Sequence, residues 1–297
     1  MFVPPGFQQK YVTTKLGQIA YYAADNQFWT DDRPAPEQPM VFLHGFGGGS
    51  SAYEWSQVYP AFATEYQVFA PDLLGWGRSA HLQRDYTVDD YLSTIPEILE
   101  QTCSCPAIVV ASSLTGAMVV RVAIARPELF RALILTAPAG LSDFGVDYSR
   151  TFISQLISTP VLDRVLYRSV LATEFGIRSF LENRQFVNRD RVVPEIIKAY
   201  LASAEQPDAE YSALSFVRGD LCFDLADYIE TLGTPTAILW GRQSNYTAAN
   251  MGRRLAEMNP DAIRCLKTLD NVGLTPHLEL PAIAISIMRQ FLTVLLK

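Results

Sequence analysis

Ser113 sits in a stretch built to expose a nucleophile. It follows Ala107-Ile108-Val109-Val110, a short apolar run rich in β-branched residues that predicts a buried strand. It precedes Leu114 to Arg126, whose small and apolar residues predict a helix stopped by Pro127. Ala111 lies two residues before the serine, and Thr115 and Gly116 lie two and three after it. A strand turning straight into a helix leaves no room for large side chains at those positions. The pattern is a loosened G-x-S-x-G, the nucleophile elbow, in which serine stands on a tight turn with its hydroxyl exposed. The helix N-terminus behind it favours negative charge. Short Ser/Thr stretches after a strand also serve as plain helix caps, so the elbow needs support from elsewhere.

Support comes from His44-Gly45-Phe46-Gly47-Gly48-Gly49-Ser50, which ends the apolar run Met40-Val41-Phe42-Leu43. Glycine is needed where backbone approaches a ligand closely or takes positive φ. A glycine-rich loop at the carboxyl end of a strand aims amide groups at an oxyanion. A nucleotide phosphate is the other use of such a loop, but the G-K-[ST] ending is absent.

These loops need elements to hold them. Lys10 to Thr14 and Gln18 to Ala23 read as strands around a Leu16-Gly17 turn, and polar, Pro-rich Asn26 to Gln38 reads as a loop. Ser50 or Ser51 is the expected cap of a helix running to about Glu65. Tyr66 to Ala70 is the next strand, Thr87 opens a helix to about Gln101, and Arg131 to Thr136 is another strand. The pattern resumes with strand Thr236 to Trp240, a helix from Ala248 to Met258 and strand Ile263 to Thr268. A last helix carries the expected core stripe Ile283/Ile287/Phe291/Leu295. Strands alternating with helices predict an α/β fold with a mostly parallel, doubly wound sheet.

Between about Leu141 and Tyr228 the alternation stops. Helical patterns replace it: Phe152/Ile153/Leu156/Ile157, Val161/Leu162/Val165/Leu166 and Ile196/Ile197/Tyr200/Leu201. Such an insertion over the carboxyl edge of a sheet makes a cap that encloses a pocket; a helical subdomain with no ligand role is the plainer alternative. The expected organisation is a core over 1–140, a cap over 141–228 and the rest of the core over 229–297.

Composition narrows the function. The 297 residues are 49% hydrophobic and 19% charged, enough for a sizeable core. The net charge of −7, with no basic tract, argues against nucleic acid and anionic membrane surfaces. No apolar run approaches a membrane span, and MFVPPGFQQKYVTTK lacks the apolar core of a signal peptide. Cys103, Cys105, Cys222 and Cys265 lack zinc spacing and read as reduced thiols of a cytoplasmic protein, with no metal or cofactor expected.

Taken together, the chain resembles the α/β-hydrolase family over nearly its whole length. The resemblance rests on His44-Gly45-Phe46-Gly47-Gly48, on Asp72-Leu73-Leu74-Gly75-Trp76-Gly77-Arg78-Ser79, on the elbow and on the order of elements. It implies a sheet of about eight strands with a helical cap. It also implies Ser113 as nucleophile and the amides of Phe46 and Leu114 as oxyanion-hole donors. The capped branch of that family includes esterases, lipases, carbon–carbon bond hydrolases and dehalogenases. Its catalytic acid usually sits in a pattern like W-G-x-x-D, but this chain reads Trp240-Gly241-Arg242-Gln243-Ser244, with Ser244 at the aspartate position. Its histidine usually sits in G-H-x-P-H-x-E, but this chain reads Gly273-Leu274-Thr275-Pro276-His277-Leu278-Glu279, with Leu274 at the histidine position.

Three histidines are available as substitutes. His44 belongs to the glycine-rich loop, where the family uses it structurally, and His81 lies away from the elbow in the family's layout. His277 is the candidate base, but Thr275 and Pro276 read as the N-cap and first residue of a helix. That places His277 about 4.5 Å along the axis from Leu274 and pointing elsewhere. Asp143 is the alternative acid, with a turn residue as its plainer reading.

Removing a triad member leaves roughly 10³–10⁴-fold catalysis over water from the oxyanion hole and binding alone. The expectation is therefore a pocket for a small hydrophobic ligand, with hydrolysis lost, vestigial or replaced by a non-hydrolytic step; a protein partner is compatible with the same reading. The alternative is a serine hydrolase with a rearranged relay using Ser113 and His277. A buried cavity between elbow and cap is expected, with Leu274 in its wall and Ser113 at its polar end.

Overall fold

The strands are β1 (Phe7–Thr14), β2 (Gly17–Ala24), β3 (Pro39–Leu43), β4 (Gln67–Pro71), β5 (Ala107–Ser112), β6 (Phe130–Thr136), β7 (Thr236–Gly241) and β8 (Ile263–Leu269). They form one eight-stranded sheet in the order β1-β2-β4-β3-β5-β6-β7-β8. β1 and β2 pair antiparallel, as do β2 and β4, and every later pairing is parallel. The computed structural model describes residues 3–30, 34–145, 162–245 and 247–297.

β3 and β5 are buried along their whole length, as their unbroken apolar runs require when helices cover both faces of a sheet. One face packs against helices Val88–Thr102, Ser113–Ala125 and Ala249–Met258, through residues such as Leu99, Met118 and Leu255. The other packs against the 52–62 segment and helix Pro281–Leu295, through Trp55, Tyr59, Phe62, Ile287 and Phe291. Among the described residues, the stretch between β6 and β7 holds helices and an isolated bridge from Leu141 to Phe223, with no named strand. Its helices Glu174–Phe180 and Pro194–Ala204 share a small core of Ile177, Leu181, Phe186, Ile196 and Tyr200, which Leu278 of the short helix Pro276–Glu279 joins. The stripe Phe152/Ile153/Leu156/Ile157 and Val161 lie outside the described residues.

Three local expectations are corrected. The single helix from Ser50 or Ser51 to Glu65 is instead two 3-10 turns, Ala52–Trp55 and Tyr59–Phe62, the first capped by Ser51. Pro60 has no amide to donate, and its ring opposes a continuous helix. Asn26–Thr30 forms a short helix inside the segment read as loop. In the last helix Ile283 is 44% exposed, while Ala284, Ile287, Met288, Phe291, Leu292 and Leu295 are buried. Four-residue steps drift about 40° each around a helix of 3.6 residues per turn, so Ile283 lies about 120° round from Leu295 and off the buried face.

Candidate functional site

β5 ends at Ser112 in extended conformation, and Ser113 opens the following helix with φ +53°. That left-handed value on a residue with a Cβ is the strained turn that the small neighbours predicted. The crowding is measurable: a Cβ on Gly116 would lie 3.3 Å from Pro138 Cβ. The Thr115 hydroxyl donates to the His44 carbonyl at 2.7 Å, stapling the elbow helix to the glycine-rich loop. Leu114 is the second residue of the helix, so its amide is one of the four with no partner within the helix.

The loop is fixed from below. His44 Nε2 accepts from the Leu73 amide at 2.9 Å, and Nδ1 lies 2.7 Å from the Gly45 carbonyl. Both ring nitrogens are thus engaged by backbone groups within the fold, as suits a structural residue. The Phe46 ring stacks on Trp76 with centroids 5.2 Å apart and also meets Tyr91 and Phe216, which anchors the loop where its amide is needed. The helical stretch closes over the same loop: a Cβ on Gly47 would meet Phe180 Cζ at 3.1 Å, and one on Gly49 would collide with the Tyr200 carbonyl. Gly49 has φ +92°, so both space and backbone require glycine there.

The loops expected to carry the acid and the base, around Ser244 and Leu274, lie side by side. The Gln243 amide donates to the Val272 carbonyl at 3.1 Å, and a Cβ on Gly241 would collide with the Gly273 carbonyl. Ser244 Oγ lies 3.4 Å from Thr247 Oγ1, a contact between hydroxyls with no charge to orient an imidazole. Leu274 is buried, and its amide donates to the Gln185 carbonyl at 3.0 Å. A buried apolar side chain thus stands at the position where the family resemblance leads one to expect the base.

Thr275 is the N-cap and Pro276 the first residue of a one-turn helix, Pro276–Glu279, as expected. His277 within it is fully buried and stacks face to face on Trp55, centroids 3.7 Å apart. Its Nε2 lies 3.9 Å from Glu54 Oε2, beyond hydrogen-bond length, and neither ring nitrogen has a hydrogen-bond partner among the described residues. Burial pushes its pKa below the ordinary histidine value against the pull of Glu54, so the ring is neutral at pH 7. Asp143, buried, accepts from the amides of Gly140, Leu141 and Leu225, the bonding of a turn residue. His81 lies beside Gly77, its Nε2 3.3 Å from that carbonyl.

A model of the alpha/beta hydrolase family matches residues 40–284. The chain belongs to that family. An uncharacterized hydrolase of Bacillus subtilis, YugF, is 24% identical over 81% of this alpha/beta hydrolase and 84% of its own length. The 2-hydroxy-6-oxo-6-(2'-aminophenyl)hexa-2,4-dienoic acid hydrolase of Metapseudomonas resinovorans is 33% identical over 35% of this chain, a match spanning only 37% of that protein. A crystal structure of a serine hydrolase involved in carbazole degradation superposes with a TM-score of 0.76 at 19% identity, covering 97% of this chain and 99% of its own.

The residue that sequence reading missed in this alpha/beta hydrolase is Glu54. Its carboxylate is buried and accepts from the Gly45 amide at 2.9 Å, the Ser50 hydroxyl at 2.5 Å and the Tyr200 hydroxyl at 3.1 Å. Tyr200 in turn accepts from Gln185 Nε2 at 2.9 Å. Burial pushes the Glu54 carboxyl up, but His277, His44 and the Ser50 hydroxyl outweigh it and hold the acid below its ordinary value. Its spacing to Ser50 was the one local signal; Gly45, Tyr200 and His277 are tertiary partners. Cavities of about 160 and 350 Å³ lie among the described residues, and neither is lined by Ser113 or Leu274. The cavity expected between elbow and cap is thus not one of them.

Proposed function

We propose that this alpha/beta hydrolase binds a small hydrophobic ligand at the elbow and has lost efficient serine hydrolysis. Leu274 carries the reading: a buried apolar side chain stands where a general base must lie, and Ser244 offers no carboxylate behind it. The nucleophile position is otherwise intact, with Ser113 strained on its turn, and Phe46 and Leu114 are the proposed donors. Such a site suits a neutral carbonyl or hydroxyl at the end of an apolar chain, or a step that needs only positioning and oxyanion donors. Residues 141–228 act as the cap in this reading, and the four unpaired cysteines fit a cytoplasmic setting.

The Glu54–His277 pair favours a second reading, a serine hydrolase with a rearranged relay. It weighs less, because the imidazole is stacked on Trp55 and a working base must accept a proton that burial here disfavours. The two readings separate on p-nitrophenyl esters and a fluorophosphonate probe. Hydrolysis near background, slow Ser113 labelling and a thermal shift with acyl or terpenoid ligands are expected. Robust turnover lost in both Ser113→Ala and His277→Ala would establish the second reading instead.

A further inference from the structure

Beside the antiparallel edge of the sheet lies a polar cavity of about 160 Å³, apart from the elbow: none of Phe46, Ser113 and Leu274 lines it. β1 contributes Gln9, β2 contributes Tyr22, and the loop after β4 contributes Asp72 and Arg78. Tyr59 comes from the 52–62 segment and Ala202 from helix Pro194–Ala204. Arg78 is exposed and Gln9 half-buried, so the cavity reaches solvent. Tyr59 is the deciding group. The residue is buried, yet its hydroxyl makes no hydrogen bond among the described residues. A buried polar group without a partner in the protein takes one from elsewhere. We propose that this cavity binds a small neutral polyol, a single sugar or cyclitol ring, and that Tyr59 donates to one of its hydroxyls.

The size suits one ring, since a cavity of roughly 150 Å³ holds a benzene-sized molecule. The wall suits hydroxyl groups. Tyr22 gives its proton to Asp72 Oδ2 at 3.3 Å, so its oxygen offers lone pairs. Asp72 also accepts from the Ala52 amide at 2.7 Å and the Arg78 amide at 2.8 Å, so the protein itself supplies the donors its carboxyl needs. Burial and the neighbouring Asp72 carboxyl push the phenols of Tyr22 and Tyr59 up, so both stay O–H groups at neutral pH. Tyr59 is then a donor, and so is the Arg78 guanidinium, whose contact to Gln206 is long at 3.5 Å. Donors and acceptors share one small cavity, and a hydroxyl answers both. A cation would meet the permanently charged guanidinium, and an anion would meet the lone pairs of Tyr22 and Asp72. The rings of Tyr53 and Tyr59 and the methyl of Ala202 supply apolar surface for the ring carbons.

The test is ligand-observed saturation-transfer NMR at pH 7.5 with myo-inositol, methyl β-glucoside and methyl β-galactoside. Cyclohexanecarboxylate and cyclohexylamine serve as charged rings of similar size. Wild type should bind at least one polyol with a Kd of about 1–10 mM, more tightly than either charged ring. Tyr59→Phe should weaken that polyol about threefold to tenfold and leave the melting temperature within about 2 °C, because the lost hydroxyl has no partner in the protein. Ala202→Phe, which fills the cavity, should abolish binding, and Ser113→Ala should leave it unchanged. No polyol bound at up to about 50 mM overturns the proposal, as does a charged ring bound more tightly than every polyol. Unchanged affinity in Tyr59→Phe or Ala202→Phe overturns it too. A fall in melting temperature with Tyr59→Phe would mark the hydroxyl as structural, and loss of binding in Ser113→Ala would move the polyol to the elbow; either sinks the assignment. Tyr59→Phe decides alone if Ala202→Phe does not fold.

Discussion

Returning an acid and a base to this scaffold should restore hydrolysis, and only as a pair. The perturbation is Leu274→His with Ser244→Asp. The two positions sit on adjacent loops joined by the Gln243–Val272 hydrogen bond, and the Leu274 backbone is pinned by Gln185, so neither loop has to move to be rebuilt. A positioned general base contributes roughly 10²–10⁴-fold, and triad members act as a unit. The double variant should therefore hydrolyse p-nitrophenyl butyrate about 10²-fold or more above wild type, each single variant less than about tenfold. Stability should show the same coupling. Histidine alone at buried position 274 brings an unpartnered imidazole into the hydrophobic core that Leu274 joins, costing about 1–3 kcal/mol, and aspartate at 244 should recover part of it. Kinetics and urea unfolding of all four proteins, with Ser113→Ala as background, complete the cycle. A folded double variant with the wild-type rate would show that these loops do not present residues 244 and 274 to the serine.

Glu54→Ala should destabilise the fold by about 2–4 kcal/mol, since it strands the Gly45 amide and the Ser50 and Tyr200 hydroxyls at once; urea titration showing a loss under about 1 kcal/mol would contradict that network. His277 is held neutral below its ordinary pKa, so below about pH 6.5 the unfolded chain takes up a proton that the folded chain refuses, and stability falls. Glu54 adds its loss only at lower pH, through a folded value below the ordinary carboxyl range. Urea midpoints at pH 7.5 and 5.5 should thus differ less in His277→Phe than in wild type, and equal differences would refute the assignment. Gly241→Ala should destabilise by more than about 1 kcal/mol, because its Cβ meets the Gly273 carbonyl; an unchanged melting temperature would show that the two loops are not packed together.

What the sequence made legible is what depends on local rules. The elbow, the glycine-rich loop and the parallel strands carry their signals within a few residues, and the sheet found here matches them. The split of the 52–62 segment was also written locally, in Pro60, but the capping serines and the following apolar residues pointed the other way. The stripe of the last helix leaves its buried face at Ile283 because three successive four-residue steps drift about 120° around the axis. Glu54 was invisible for a different reason. A lone glutamate in a polar stretch reads as solvated surface, and the groups that bury it arrive from positions 45, 200 and 277. The helical register of Thr275 and Pro276 turns His277 away from Leu274, but its stacking on Trp55 depends on tertiary packing that no local pattern carries.

The left-handed backbone at Ser113 also bears on how this protein could drift. A non-glycine residue held there costs on the order of 1–3 kcal/mol, which glycine would largely relieve, less about 0.4–1 kcal/mol for the greater freedom of its unfolded chain. Ser113→Gly should accordingly leave the fold as stable or more stable. On stability alone glycine is therefore the better residue at position 113, and a use for the hydroxyl, as proposed above, is what would offset the strain of serine there.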